Sequence, residues 1–112
     1  MKIWFTLAAL LVPVPALAHA MLEQATPAAN AKLARAPKEI VLRYSEALEP
    51  AFTKAEVKDS KGVSVAASTN VKDQTMRVTL KPLGPGVYRV TWHAVSVDTH
   101  RIEGAYSFTV KP

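Results

Sequence analysis

Cysteine is missing from all 112 residues, and that absence excludes a disulfide framework, thiolate metal sites and thiol catalysis together. Histidine is nearly missing too, with three residues, and methionine also stands at three. A metal ion carried by such a chain has to be held by nitrogen or oxygen, with little thioether on offer. No apolar stretch reaches the roughly 20 residues that a membrane-crossing helix needs. There is no internal repeat, no low-complexity segment and no linker. The formal net charge is +5, yet Lys32, Arg35, Lys38, Arg43, Lys54, Lys58, Lys61 and Lys72 are scattered singly and interleaved with acids. A phosphate-backbone binder shows a clustered basic stripe instead, so nucleic acid is not an expected partner.

The chain opens with the features of an export signal. Lys2 supplies a positive start, residues 3–12 are almost wholly apolar, and Ala16-Leu17-Ala18 has the small-x-small form that signal peptidase cuts after. Pro13 and Pro15 interrupt a continuing helix just before that point. Removal of residues 1–18 leaves one small domain, residues 19–112, beginning at His19. Ala18-His19-Ala20 is a second small-x-small triplet, however, and a cut there would discard His19 and leave Met21 first.

Short alternating runs between turn residues predict an all-β domain of about seven strands, an immunoglobulin-like sandwich or Greek-key barrel. Extended segments are expected near residues 21–25, over 39–44 and over 76–80. Residues 54–58 and 63–67 read as a hairpin around Asp59-Ser60-Lys61-Gly62, whose side chains supply the turn chemistry. In the longest strand candidate, residues 87–95, Tyr88, Val90, Trp92 and Ala94 share one face and Arg89, Thr91 and His93 the other, so Trp92 is expected in the core. The run from Gly104 to Val110 closes the domain.

The chemistry is concentrated in very few residues. Asp98 and His100 stand two apart, which in extended chain puts both side chains on one side, about 7 Å apart at their Cα atoms. If His19 becomes the first residue and reaches this loop, the donors are an α-amine, two imidazoles and one carboxylate oxygen. Such an N/O set suits Cu(II), which also stands highest in the affinity order of divalent first-row ions. The α-amine can take part because its reference pKa, about 7.7 to 8.0, lies far below that of lysine. An Asp-x-His in a loop is weak alone, since aspartate commonly makes turn hydrogen bonds and a lone histidine is usually a surface residue. The N-terminal histidine gives the set its weight.

The stretch Trp92-His93-Ala94-Val95-Ser96-Val97-Asp98-Thr99-His100, followed by Gly104, resembles the C-terminal part of the CopC family of periplasmic copper-binding proteins. His19-Ala20-Met21-Leu22, Thr26-Pro27-Ala28 and Leu42-Arg43-Tyr44-Ser45-Glu46-Ala47-Leu48 resemble that family as well, so the likeness spans nearly the whole mature chain. It implies a cupredoxin-like or immunoglobulin-like barrel in the periplasm that binds one Cu(II) per chain through His19, Asp98 and His100. Glu46 matches a family glutamate near the copper, either positioning a ligand or a plain surface carboxylate. The implied role is a monomeric, non-enzymatic copper carrier or buffer in resistance or homeostasis, passing the ion to an inner-membrane transporter or another periplasmic acceptor.

One departure from the family pattern is informative. Some members also bind Cu(I) through a methionine-rich loop, but residues 50–75 here contain neither Met nor His. His93 lies close in sequence to Asp98, yet strand parity makes it a half-exposed surface residue beside Arg89 and Thr91. Two other classes remain open from the residues: a copper redox enzyme built on a histidine brace, and a metal-free sandwich used for assembly. The first uses an amine and two imidazoles and leaves an equatorial position for oxygen, where this chain adds a carboxylate. The second needs no particular residue at its N-terminus.

Overall fold

The computed structural model describes residues 21–112; the expected leader, its cleavage point and His19 lie outside the described residues. Among the described residues eight strands form: β1 (Leu22–Thr26), β2 (Lys32–Leu33), β3 (Glu39–Tyr44), β4 (Lys54–Lys58), β5 (Ala66–Lys72), β6 (Thr75–Leu80), β7 (Gly86–Val95) and β8 (Arg101–Val110), with a 3-10 turn at Pro50–Phe52. They make two four-stranded sheets, ordered β1-β3-β6-β5 and β2-β8-β7-β4. The expected all-β sandwich is therefore what forms. Every pairing is antiparallel except that of the two-residue β2 with the end of β8.

Alternation drives the assembly. Ile40, Leu42 and Tyr44 of β3, Met76, Val78 and Leu80 of β6, and Tyr88, Val90, Trp92 and Ala94 of β7 all point inward and are buried. Phe108 and Val110 of β8, Val57 of β4 and Leu48 join the inner layer. Removing each large apolar side chain from water stabilises the fold by about 1.5–3 kcal/mol, and this set dominates. The period of two then leaves Arg89, Thr91 and His93 on the outer face.

The expected hairpin after β4 is half right. Asp59 Oδ1 accepts hydrogen bonds from the backbone N–H groups of Lys61 and Val63, both at 2.9 Å, and Gly62 takes a left-handed φ of 82°. Beyond one bridge between Lys58 and Ser64, however, the chain leaves β4 and enters the other sheet, where β5 pairs with β6. Residues 63–65 are thus a crossover, and the strand that follows runs Ala66–Lys72.

Trp92 organises the end of the sandwich that bears the candidate site. It meets Tyr44 edge-on, with ring centroids 5.3 Å apart. It also lies flat against Gly104, its cross-strand partner on β8. A Cβ at position 104 would fall 2.6 Å from Trp92 Cζ2, closer than any real contact. Gly104→Ala should therefore destabilise the domain by about 1–3 kcal/mol, the range for overpacking. Trp92→Phe removes the clashing atoms, so in denaturant unfolding the double variant should lose less than the two single losses added together. Strict additivity would refute the contact.

Candidate metal centre

β7 ends at Val95 and β8 starts at Arg101, and the five residues between them fold into a closed loop. The Ser96 N–H donates to the His100 carbonyl at 2.9 Å, and the Thr99 N–H donates to the Ser96 carbonyl at 2.8 Å. Thr99 is forced into the left-handed region at φ 72°, an unusual place for a β-branched residue. Ser96 itself is fully buried. Its hydroxyl donates to Asp98 Oδ1 and accepts the His100 N–H at 3.3 Å.

That wiring brings the two predicted donors together. His100 Nδ1 lies 3.0 Å from Asp98 Oδ1, and both side chains are 43% exposed. The extended backbone expected between them is absent; a tight turn through Thr99 achieves the convergence instead. The hydrogen bonds from Ser96 and then His100 hold the Asp98 carboxyl well below its ordinary 3.8, at about 2. A carboxylate depressed in this way adds stability to the fold above its ordinary range and loses it as pH falls through about 2. Asp98 thus stays ionised, and so available to a cation, at any pH where an imidazole can bind. With Nδ1 directed at the carboxylate, Nε2 is the nitrogen not used by Asp98, the arrangement that commonly fixes the tautomer of a metal-binding histidine.

A second segment ties this loop to the beginning of the described chain. The Met21 N–H donates to Ser45 Oγ at 2.8 Å, and the Ser45 N–H returns a bond to the Met21 carbonyl at 2.9 Å. Two residues on, the Ala47 carbonyl accepts the Val97 N–H at 3.0 Å, and Leu48 bridges Ser96. Residues 45–48 therefore touch Met21 at one end and the Asp98 loop at the other. Glu46 sits half-buried within them. Among the described residues no three His, Asp or Glu side chains gather closely enough to hold an ion; the third expected donor, His19, lies outside them.

Other candidate donors are placed less favourably. Met76 is completely buried and fills the core, while Met21 is exposed. Burial pushes the Tyr44 phenol far above its usual range and Tyr106 up to about 12, so neither offers a phenolate. His93 is exposed, paired across the sheet with Lys54 and Glu103. It faces a broad concavity that Thr99 of the loop also lines, a proximity that strand parity alone did not reveal.

The CopC domain model matches residues 22–111, nearly the whole described chain. The chain belongs to the CopC family. Among CopC relatives, protein YobA of Escherichia coli is 40% identical over 99 residues, covering 84% of this chain and 80% of its own. Copper resistance protein C of Pseudomonas syringae pv. tomato is 38% identical over 114 residues, covering 93% of this chain and 90% of its own. The crystal structure of PcoC, described as a methionine-rich copper resistance protein from Escherichia coli, superposes with a TM-score of 0.73 at 38% identity, over 84% of this chain and all of that one. Copper is accordingly the metal that CopC membership implies here. The contrast with a methionine-rich relative is direct, since residues 50–75 carry no methionine.

If Ser96 sets the acidity of Asp98, Ser96→Ala should move the Asp98 titration midpoint up from about 2 toward its ordinary 3.8. Side-chain carboxyl NMR against pH reads this directly. A midpoint that stays put would assign the depression to His100 alone.

Proposed function

We propose that this CopC protein is exported to the bacterial periplasm, loses residues 1–18, and carries or buffers one Cu(II) per chain. The donors are the His19 amine and imidazole, the His100 imidazole and the Asp98 carboxylate, with Glu46 positioning the N-terminal segment. The carrying observation is the double contact of residues 45–48, with Met21 on one side and Val97 on the other. His19 precedes Met21 by two residues, a reach of about 7 Å at most, and Met21 lies at the end of the sandwich that bears Asp98 and His100.

Cu(II) follows from the donors. Three nitrogens and one carboxylate oxygen favour it, and the scarcity of thioether leaves little for Cu(I). A fourth equatorial donor also leaves no open position for oxygen, so the site serves for carriage and release rather than oxidation. The ion is cargo, passed to an inner-membrane copper transporter or another periplasmic acceptor, and the carrier acts as a monomer in copper resistance or homeostasis.

One alanine added before His19 separates the amine from the imidazole while leaving the fold untouched. Cu(II) affinity in a competition titration should then drop by at least about a hundred-fold, the upper end of what loss of a mere supporting partner costs. Undiminished affinity would sink the assignment. Asp98→Asn should weaken binding without unfolding the protein. Imidazole and amine must both be deprotonated to bind, so Cu(II) affinity should fall steeply as pH drops through about 6.5. An affinity unchanged at pH 5 would argue against histidine ligation. Ascorbate should likewise release the ion, and tight retention of Cu(I) would contradict the donor set.

A further inference from the structure

The fold gathers basic residues that the sequence scatters. On the outer face of the β1-β3-β6-β5 sheet, Arg43 of β3 and Lys72 of β5 both stand opposite Thr75 of β6, so the three form one row. Two strand spacings separate the cations, about 9–10 Å. In the next row Arg77 lies between Val41 and Asn70. Arg43, Lys72, Arg77, Thr75 and Asn70 line a depression of about 280 Å³. Arg77 is already paired with Glu39 at 3.1 Å, and Asp73 stands at the rim. The ion pairs among the described residues join Lys58 to Glu56, Arg77 to Glu39 and His100 to Asp98, so Arg43 and Lys72 have no carboxylate of their own. Gln24, the neighbour of Arg43 on β1, is neutral.

This depression abuts the copper end. The Asp73 carbonyl accepts the Leu48 N–H at 2.8 Å, and Gln74 exchanges hydrogen bonds with the Tyr44 backbone. The β5–β6 turn thus supports residues 45–48 from one side, while the Asp98 loop lies on the other.

We infer that Arg43 and Lys72, with Arg77 beside them, form a docking surface for an acidic, extended segment of a protein partner, seated next to the metal end. A single dissolved oxyanion gains little here, because exposed ion pairs contribute at most about 1 kcal/mol each. An extended segment with carboxylates at alternate positions, about 7 Å apart, engages both cations in one event and shares the cost of association. The guanidinium fork of Arg43 suits a carboxylate in two-point contact. The proximity to copper transfer rests on the ligand assignment above; the acidic docking surface does not.

The test uses the exported, isotope-labelled protein, titrated with a hexaglutamate peptide at fixed ionic strength while amide NMR shifts are followed. Saturable shifts confined to residues 70–77 and Arg43 are expected. Arg43→Gln with Lys72→Gln should lower peptide affinity about ten-fold, as two exposed pairs would, with Cu(II) affinity unchanged. Shifts spread evenly over the surface, or indifferent to the double substitution, would overturn the docking surface. Inorganic phosphate or phosphatidylglycerol vesicles binding there as tightly as the peptide would overturn the protein-partner assignment. Intact peptide binding in a protein that ignores copper would refute the copper reading alone.

Discussion

The site depends on one buried hydroxyl. Ser96 has no exposed surface, and a buried polar group of this kind must find partners inside the protein. It finds them in Asp98, to which it donates, and in the His100 N–H, which it accepts. Those two bonds, with the backbone bonds to Thr99 and His100, close the loop on Ser96. The convergence of a carboxylate and an imidazole is thus imposed from below, by a buried hydroxyl.

That loop is in turn anchored to the core. Trp92 lies two residue pairs back along β7 and packs between Tyr44 and the bare backbone of Gly104. Tyr44 ends β3, and the next residue, Ser45, is the one that holds Met21. Aromatic packing between the sheets therefore sets where Met21 and the β7–β8 loop lie, on either side of residues 45–48. A change in the core at this end would be felt at the surface as a change in the separation of Met21 from the β7–β8 loop.

Much of this was legible in the residues. The strands at Glu39–Tyr44 and Lys54–Lys58, and the inward face of β7 with Trp92 on it, follow from strict alternation. β5 escaped because Ala66–Lys72 is almost wholly exposed and shows no apolar period; an edge strand leaves little imprint on sequence. The turn at Asp59 was readable, but local chemistry cannot say which sheet the chain enters next. Asp98 and His100 were recognisable as a pair through family likeness and donor chemistry, whereas the serine that aims them carried no signal of its own. Its importance comes from burial, which only the packed fold supplies. The row of Arg43 and Lys72 was invisible for the same reason, since strand register joins positions far apart in the chain.

Thr99 shows where the cost of this arrangement falls. A β-branched residue held at φ 72° is in a conformation it adopts only when its surroundings leave no alternative. The free energy that keeps it there comes from folding, before any ligand arrives. On the proposed ligand assignment, an ion settling on Asp98 and His100 meets groups already oriented and has no loop to freeze. Preorganisation of this sort turns fold stability into affinity, and on that assignment it ties the two together: conditions that soften the β7–β8 end loosen the grip on the ion before the domain unfolds.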